Sequence, residues 1–316
     1  MERNRRLGQD ILISKLGFGA WAIGGGAYGG VAVTDANEAL DYYLSQGGNF
    51  IDTAQMYANS EEIIGNFLQD SEYKNDVVIA TKTPCGDGMN TVNLIESELD
   101  KSLKKLKRNY VDLYYFHSPS EDDETIAAGL EVMKSLKAKG KIRTIGASIK
   151  GVNVTDETVE LCRRYIDTKE IDAIQLVYSI FRQKNKEIFS YAQDNNVALI
   201  GRTSLESGFL TGKYRKGHVF AEGDHRVRWS ASVDEIMDEV QKIEKKYIGK
   251  HDDSMTSLAI RFAMHPDEIT DTIVGVKNKK QMEEIIQVCE KQELNASALI
   301  ALELMFQDKT KMFNVR

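Results

Sequence analysis

The chain has 316 residues, 42% apolar and 28% charged, a globular balance that excludes disordered and fibrous classes. Lys and Arg number 41 against 48 Asp and Glu, and the net charge of −7 argues against nucleic acid as the main partner. Cys85, Cys162 and Cys289 are odd in number and far apart, so no disulfide framework or Cys-rich metal site is encoded, and a reducing, cytoplasmic setting is expected.

In chain order, residues 5–7 and 11–14 flank Gly8-Gln9-Asp10 and predict a small hairpin over 5–14. Residues 16–33 form an uncharged run of 18 that superficially resembles a signal or a membrane span. Seven of the 18 are glycine, each costing a helix about 1 kcal/mol relative to alanine, so no span is expected and the chain reads as soluble. Short apolar runs then recur at 16–20, 50–53, 77–81, 111–116, 142–147, 173–177, 197–200 and 272–274. Apolar on both faces, they read as strands of a parallel sheet buried on both sides. Amphipathic stretches alternate with them. Ile95, Leu99, Leu103 and Leu106 form one helical stripe, and Ile126, Leu130, Met133 and Leu136 another. Asp35 with Glu38 predicts a helix start, and Gly140 a helix stop.

No Pro- or Ser/Gly-rich linker divides the chain. Length alone allows two domains, but eight strand–helix units in about 300 residues are the count of a single (β/α)8 TIM barrel spanning 1–316. A doubly wound open sheet is the competitor. Residues 207–232 lack periodicity and are too long for an ordinary barrel connection, which marks a functional loop after the seventh barrel strand.

Gly24-Gly25-Gly26-Ala27-Tyr28-Gly29 satisfies G-x-G-x-x-G, the dinucleotide fingerprint, but no helix opens at the glycines, so a loop above the first barrel strand is the better reading. Four polar residues carry more weight. Asp52 and Tyr57 follow the second barrel strand, Lys82 ends the third and His117 ends the fourth. In a parallel barrel all strand C-termini open on one face, where active sites are built. Tyrosine titrates near about 10, and an ammonium held by a carboxylate lowers that value by stabilising phenolate. Tyr57 then serves as general acid/base, with His117 orienting a substrate oxygen. Structural ion pairs and a hydrogen-bonded core histidine are the plain alternatives, and four suitable types on neighbouring strands favour the site. Trp21 and Tyr28 are pocket walls or ordinary packing. The histidines His117, His218, His225, His251 and His265 show no paired ligand spacing, so no metal is expected. Lys104-Lys105-Leu106-Lys107-Arg108 reads as a solvated helix end.

Together these residues resemble the aldo-keto reductase family. The resemblance runs in order through Leu16-Gly17-Phe18-Gly19-Ala20-Trp21, then Asn49-Phe50-Ile51-Asp52-Thr53-Ala54 with Tyr57 and Ser60-Glu61. Val78-Ile79-Ala80-Thr81-Lys82 and Asp112-Leu113-Tyr114-Tyr115-Phe116-His117 continue it, followed by 140–148 and 174–178. Gly208-Phe209-Leu210-Thr211-Gly212-Lys213-Tyr214 and Ile273-Val274-Gly275-Val276-Lys277 complete it. The resemblance implies an NADPH-dependent reductase of a small aldehyde, ketone or sugar on a (β/α)8 barrel, with NADH less favoured. It implies Tyr57 as proton donor, Lys82 and Asp52 as its tuning pair and His117 as substrate-orienting, with Trp21 beside them in the substrate pocket. It places Ser148 and Gln175 on the nicotinamide carboxamide and Leu205 over the pyrophosphate. Lys277 falls on the adenosine 2′-phosphate, with Gln281 and Glu284 on the adenine side. Gly19, Ala20, Trp21, Asp52, Thr203, Gly208, Lys213 and Gly275 fall along the cofactor path.

Departures are equally specific. Ile149 and Ile285 replace frequent asparagines, and Arg202 stands where an aromatic usually stacks on the nicotinamide. A guanidinium plane can stack too. Residues 224–229 are either a surface loop or a lid in which Arg226 or Arg228 meets phosphate or an anionic substrate. The rivals are a nicotinamide-binding regulatory or redox-sensing subunit with little turnover, and a barrel forming a Schiff base through Lys82.

Overall fold

The structure, a computed structural model, describes residues 1–26, 30–86, 88–151, 153–250, 254–291 and 294–306. Ala27, Tyr28 and Gly29 of the glycine run, and His251, lie outside the described residues. The antiparallel pair β1 (Arg3–Leu7) and β2 (Ile11–Ser14) turns at Gly8, whose φ of +61° suits glycine. Eight parallel strands follow: β3 (Leu16–Gly19), β4 (Phe50–Asp52), β5 (Val78–Lys82), β6 (Val111–His117), β7 (Ile142–Ser148), β8 (Ala173–Val177), β9 (Ala198–Arg202) and β10 (Ile269–Gly275). β10 pairs with both β3 and β9, so the sheet closes on itself. A doubly wound sheet would leave two edges, and this ring leaves none. The fold is the (β/α)8 barrel.

The strands are apolar on both faces because both faces are covered. Phe50, Val78, Ala80, Leu113, Tyr115, Ile200 and Ile273 fill the interior. Leu7, Ile11 and Ile13 of the hairpin join that cluster and seal the end from which the strands start. Ile51, Ile79, Tyr114 and Ile145 face outward onto the helices. Helix Ile95–Leu106 buries the stripe Ile95, Leu99, Leu103 and Leu106, each side chain of this size contributing roughly 1.5–3 kcal/mol. Helix Asp123–Ala138 buries Ile126, Leu130, Met133 and Leu136 in the same way. It ends in a Schellman turn at Gly140 (φ +72°), where Lys141 N donates to Leu136 O and Gly140 N to Lys137 O, both at 3.0 Å.

One boundary differs from expectation. The helix read as starting at Asp35 begins at Val33, behind an Ala32 that offers no side-chain cap. Asp35 lies in its first turn, where a carboxylate suits the positive end of the helix dipole. Residues 207–232 hold only short 3-10 turns, Glu206–Thr211 and His225–Ser232, around irregular chain.

A second carboxylate lies in the barrel wall. Asp271 in β10 is fully buried, and neither of its oxygens has a hydrogen-bond partner among the described residues. It occupies the space left by Gly17, where a Cβ would approach Asp271 Oδ1 to 2.6 Å. Burial, reinforced by the charge of Asp52, holds this carboxyl well above the ordinary carboxylate range. The folded chain therefore keeps a proton that the unfolded chain has lost, and stability falls as pH rises from the unfolded value near about 4, by up to on the order of 1.4 kcal/mol per pH unit. Asp271→Asn should thus gain on the parent in urea-unfolding midpoint from pH 4.5 to 7.5. A difference that stays flat with pH would refute a neutral Asp271.

Candidate active site

At the strand C-termini, the ends of β4 and β5 bring Asp52 and Lys82 together inside the barrel mouth. Lys82 Nζ donates to Asp52 Oδ1 and to the carbonyl of Thr53, both at 2.7 Å, with both side chains buried. An isolated ammonium would be too costly at this depth, and the carboxylate makes the charge tolerable. The ammonium also lies 4.8 Å from the centroid of the Tyr57 ring. His117, at the end of β6, presents its ring edge-on to Tyr57 with centroids 6.2 Å apart. Burial, then the charges of Lys82 and Arg202, depress the His117 imidazole to about 3. A neutral imidazole can offer one N–H and one lone pair to a substrate without taking a proton.

Local chemistry fixes Tyr57. The chain turns after β4 with Tyr57 N donating to Ala54 O at 2.9 Å. Thr53 and Ser60 share a hydroxyl hydrogen bond of 2.6 Å, and Thr81 donates to buried Glu61 at 2.7 Å, tying the turn to β5. Asn59 N donates to Gly24 O at 3.2 Å, and a Cβ on Gly24 would meet the Tyr57 carbonyl oxygen at 2.0 Å. The glycine run therefore clamps the Tyr57 turn. Among the described residues the next helix begins at Val33, so none opens at residues 24–26 as the dinucleotide fingerprint requires.

A hydrogen-bond chain extends from this group across the mouth. Ser148 Oγ, at the end of β7, donates to Gln175 Oε1 at 2.8 Å. Gln175 Nε2 on β8 donates in turn to Asp52 Oδ2 at 2.7 Å. Asp52 thus serves Lys82 with one oxygen and Gln175 with the other.

Beside this group opens a cleft of about 640 Å³. Gly19, Trp21, Asp52 and Tyr57 line one part, and Arg202, Thr203, Leu205 and Gly208 another. Lys213, Gly275, Lys277, Gln281 and Glu284 line the remainder. Lys82, Ser148 and Gln175 are buried and do not line the cleft, and half-buried His117 lines a smaller neighbouring pocket with Thr83, Phe116 and Pro119. Ala20 does not reach the cleft: it is fully buried in the core, and its amide donates to Asp52 O at 2.8 Å. Its part is to fix the backbone that carries Asp52.

The far part of the cleft is cationic. Lys277 precedes the helix Lys279–Cys289, whose cap Asn278 accepts from Gln281 N at 3.0 Å. Gln281 Oε1 answers with the Lys277 amide at 2.9 Å. Burial, then Arg226 and, more weakly, Lys213, push the Lys277 ammonium below its ordinary value. Crowded cations at a helix N-terminus suit a phosphate. Arg202 donates from Nη2 to Ile149 O at 2.7 Å, and its guanidinium fills the space left by Gly151.

The segment 224–229 lies over the cleft. His225 packs on Trp21 with centroids 4.7 Å apart, and Arg226 and Arg228 line the cavity. Arg226 is gripped by Asp224 (Nε–Oδ1 2.8 Å), donates to the Tyr214 hydroxyl and stacks 4.4 Å from the Phe220 centroid. Tyr214 and Arg182 also line the cleft and were not singled out from sequence. Tyr214 sat inside a matching motif as one aromatic among many, and Arg182 lies in a turn with no motif of its own. Among the described residues no group of three or more His, Cys, Asp or Glu could hold a metal, and no helix is long and apolar enough to cross a membrane.

The model of the Aldo/keto reductase family matches residues 15–303. The aldo-keto reductase YhdN of Bacillus subtilis is 31% identical over 293 residues, 88% of this chain and 86% of that protein. The NADH-specific methylglyoxal reductase of Escherichia coli is 34% identical over 235 residues, 66% of this chain and 69% of that one. Among solved structures, the holo form of aldo-keto reductase AKR11C1 from Bacillus halodurans superposes with a TM-score of 0.76 over 96% of both chains, at 24% identity.

The depressed His117 carries its own test. In the unfolded chain an imidazole protonates near about 6.5, in the folded one only near about 3, so stability is full above 6.5 and drains as pH falls between those values. Histidine NMR should show one imidazole with no titration from pH 8 to 4.5, missing in His117→Asn. A normal midpoint near 6.5 for that signal would contradict the burial argument.

Proposed function

The chain belongs to the aldo/keto reductase family, oxidoreductases of carbonyl compounds, and from that premise we propose an NADPH-dependent reductase of a small aldehyde, ketone or sugar with Tyr57 as the proton donor. The observation that carries this reading is the buried Lys82 ammonium, pinned between Asp52 and Thr53 O at 2.7 Å, directly beside the Tyr57 ring. When bound, the nicotinamide supplies hydride to the carbonyl carbon. Tyr57 gives its phenolic proton to the oxygen on which negative charge develops, and Lys82 stabilises the phenolate left behind. Asp52 keeps Lys82 in place. His117, neutral, orients the carbonyl oxygen, and Trp21 walls the substrate side.

The cleft fits such a cofactor by the chemistry of its lining. Ser148 and Gln175, buried next to that lining and bonded to each other, carry the hydroxyl and the amide assigned to the nicotinamide carboxamide, and they reach it only by opening towards the cleft. Arg202 provides a flat cation for the ring to stack on. Gly19, Thr203, Leu205, Gly208, Lys213 and Gly275 follow the path towards the phosphates, with Gln281 and Glu284 on the adenine side. Lys277, crowded by Arg226 and Lys213, calls for an anion, which favours a 2′-phosphate and hence NADPH over NADH. Three free cysteines fit a reducing compartment such as the cytoplasm.

Tyr57→Phe should keep NADPH affinity within about twofold while losing on the order of 10²–10⁴ in kcat. Following nicotinamide absorbance over a carbonyl panel measures this, and a Phe variant as fast as the parent removes Tyr57 from the mechanism. A parent protein that retains bound NADP yet turns over nothing on that panel would favour the regulatory-subunit reading instead.

Lys277→Ala should weaken NADPH by about 1.5–3 kcal/mol and leave NADH nearly untouched. Calorimetric titration with both nucleotides decides it, since equal weakening of the two would contradict a contact with the 2′-phosphate.

A further inference from the structure

The segment that follows β9 is held in an unusual shape. Thr203, Glu206 and Ser207 have φ values of +67°, +46° and +55°, in the left-handed region that ordinary side chains avoid. Three such residues within five positions, none of them glycine, need something that over-determines them. Thr203, Leu205, Ser207 and Gly208 all face the cleft.

The exception is Glu206, whose side chain turns away from the cleft into the core at 1% exposure. There Arg182 grips it bidentately, Nε to Oε1 at 2.9 Å and Nη2 to Oε2 at 2.7 Å. Ser179 adds a hydroxyl hydrogen bond to Oε1. Arg182 is itself 2% exposed and sends Nη1 to the carbonyl of Gly151 at 2.6 Å. One guanidinium therefore ties together the segments after β7, β8 and β9, the three that rise over this side of the cleft. A buried ion pair is a poor source of net stability, since desolvation offsets the attraction, and its best-attested use is to select one conformation among several. A glutamate at a position whose backbone would suit glycine is explained if its carboxylate is what the position is for.

We propose that the Arg182–Glu206 pair is a positioning device that holds residues 203–208 in their left-handed, cleft-facing shape before the cofactor arrives. The inference rests on the reading of the cleft as a nicotinamide site only for its effect on affinity. Preorganised, the segment need not be ordered at the moment of binding, and that saving appears as a lower dissociation constant. Arg182 and Glu206 act through the backbone they hold and not by contact with reacting atoms.

Three measurements test this on the full chain: amide hydrogen exchange of residues 203–210 without nucleotide, NADPH titration, and steady-state kinetics. Glu206→Gln, isosteric but uncharged, should raise exchange in that segment at least tenfold while the barrel strands keep parental rates. Its dissociation constant for NADPH should rise ten- to a hundredfold, and its KM for NADPH should rise more than kcat falls. The double variant Arg182→Met/Glu206→Gly removes both charges and gives the strained position a residue that adopts the conformation freely. With the tie gone it should exchange and bind as weakly as Glu206→Gln, whereas parental exchange and affinity in this double variant would show that the pair holds nothing and would overturn the proposal. Parental exchange and affinity in Glu206→Gln would overturn the proposal, as would loosening spread evenly over the barrel, which marks a core stabiliser. A parent that binds no nicotinamide nucleotide would sink the functional reading, and the exchange comparison would still decide the role of the pair.

Discussion

A single carboxylate organises the mouth of this barrel. Asp52 gives one oxygen to Lys82 and the other to Gln175, each at 2.7 Å. The first bond makes a buried ammonium tolerable beside Tyr57, and the second aligns the amide that leads to Ser148. On the proposed reading proton chemistry and cofactor orientation share one anchor, and that anchor is rigid because β4 lies between β3 and β5 in a closed ring. The closure of the barrel sets the distances, and the charges then follow from them. Burial, aided by the charges of Lys82 and Arg202, keeps His117 neutral beside the Lys82–Asp52 pair.

The cleft contrasts with the molecule around it. The chain carries a net charge of −7, yet Lys213, Arg226, Arg228 and Lys277 converge along one cavity with Arg202. Low-dielectric walls focus such a field, so an anionic ligand is drawn to the cavity and not to the surface at large. Asp224 tempers the cluster by gripping Arg226, yet burial and then Arg226 still hold the Lys277 ammonium below its ordinary value.

Much of this was legible in the sequence because the physics involved is local or periodic. The eight strands announced themselves as short runs apolar on both faces between turn signals, the pattern of a sheet covered on both sides. Asp52, Lys82 and His117 could be singled out because each is a polar residue ending an apolar run. What resisted reading depends on tertiary context. Ala32 caps nothing with its side chain, so the start of the first barrel helix carried no signal. Gly24 read as part of a loose loop, whereas its missing Cβ is what lets the Tyr57 turn approach. Ala20 lay in a matching motif yet faces the core. The left-handed backbone at Glu206 is invisible in Leu-Glu-Ser, and its partner Arg182 lies 24 positions earlier. Asp271 ended no run and followed no motif, although its burial in the wall is as unusual as that of Lys82.

The hairpin of β1 and β2 has a wider meaning for how such a molecule diversifies. With Leu7, Ile11 and Ile13 corking the base, the barrel is a one-ended vessel, and all traffic with solvent crosses its rim. Selection for a new reactant is therefore confined to the segments after the strands, which can be exchanged while the corked base goes on supporting the same architecture. The candidate catalytic residues and the segments that shape the cleft share that rim, and the corked base supports both without touching either.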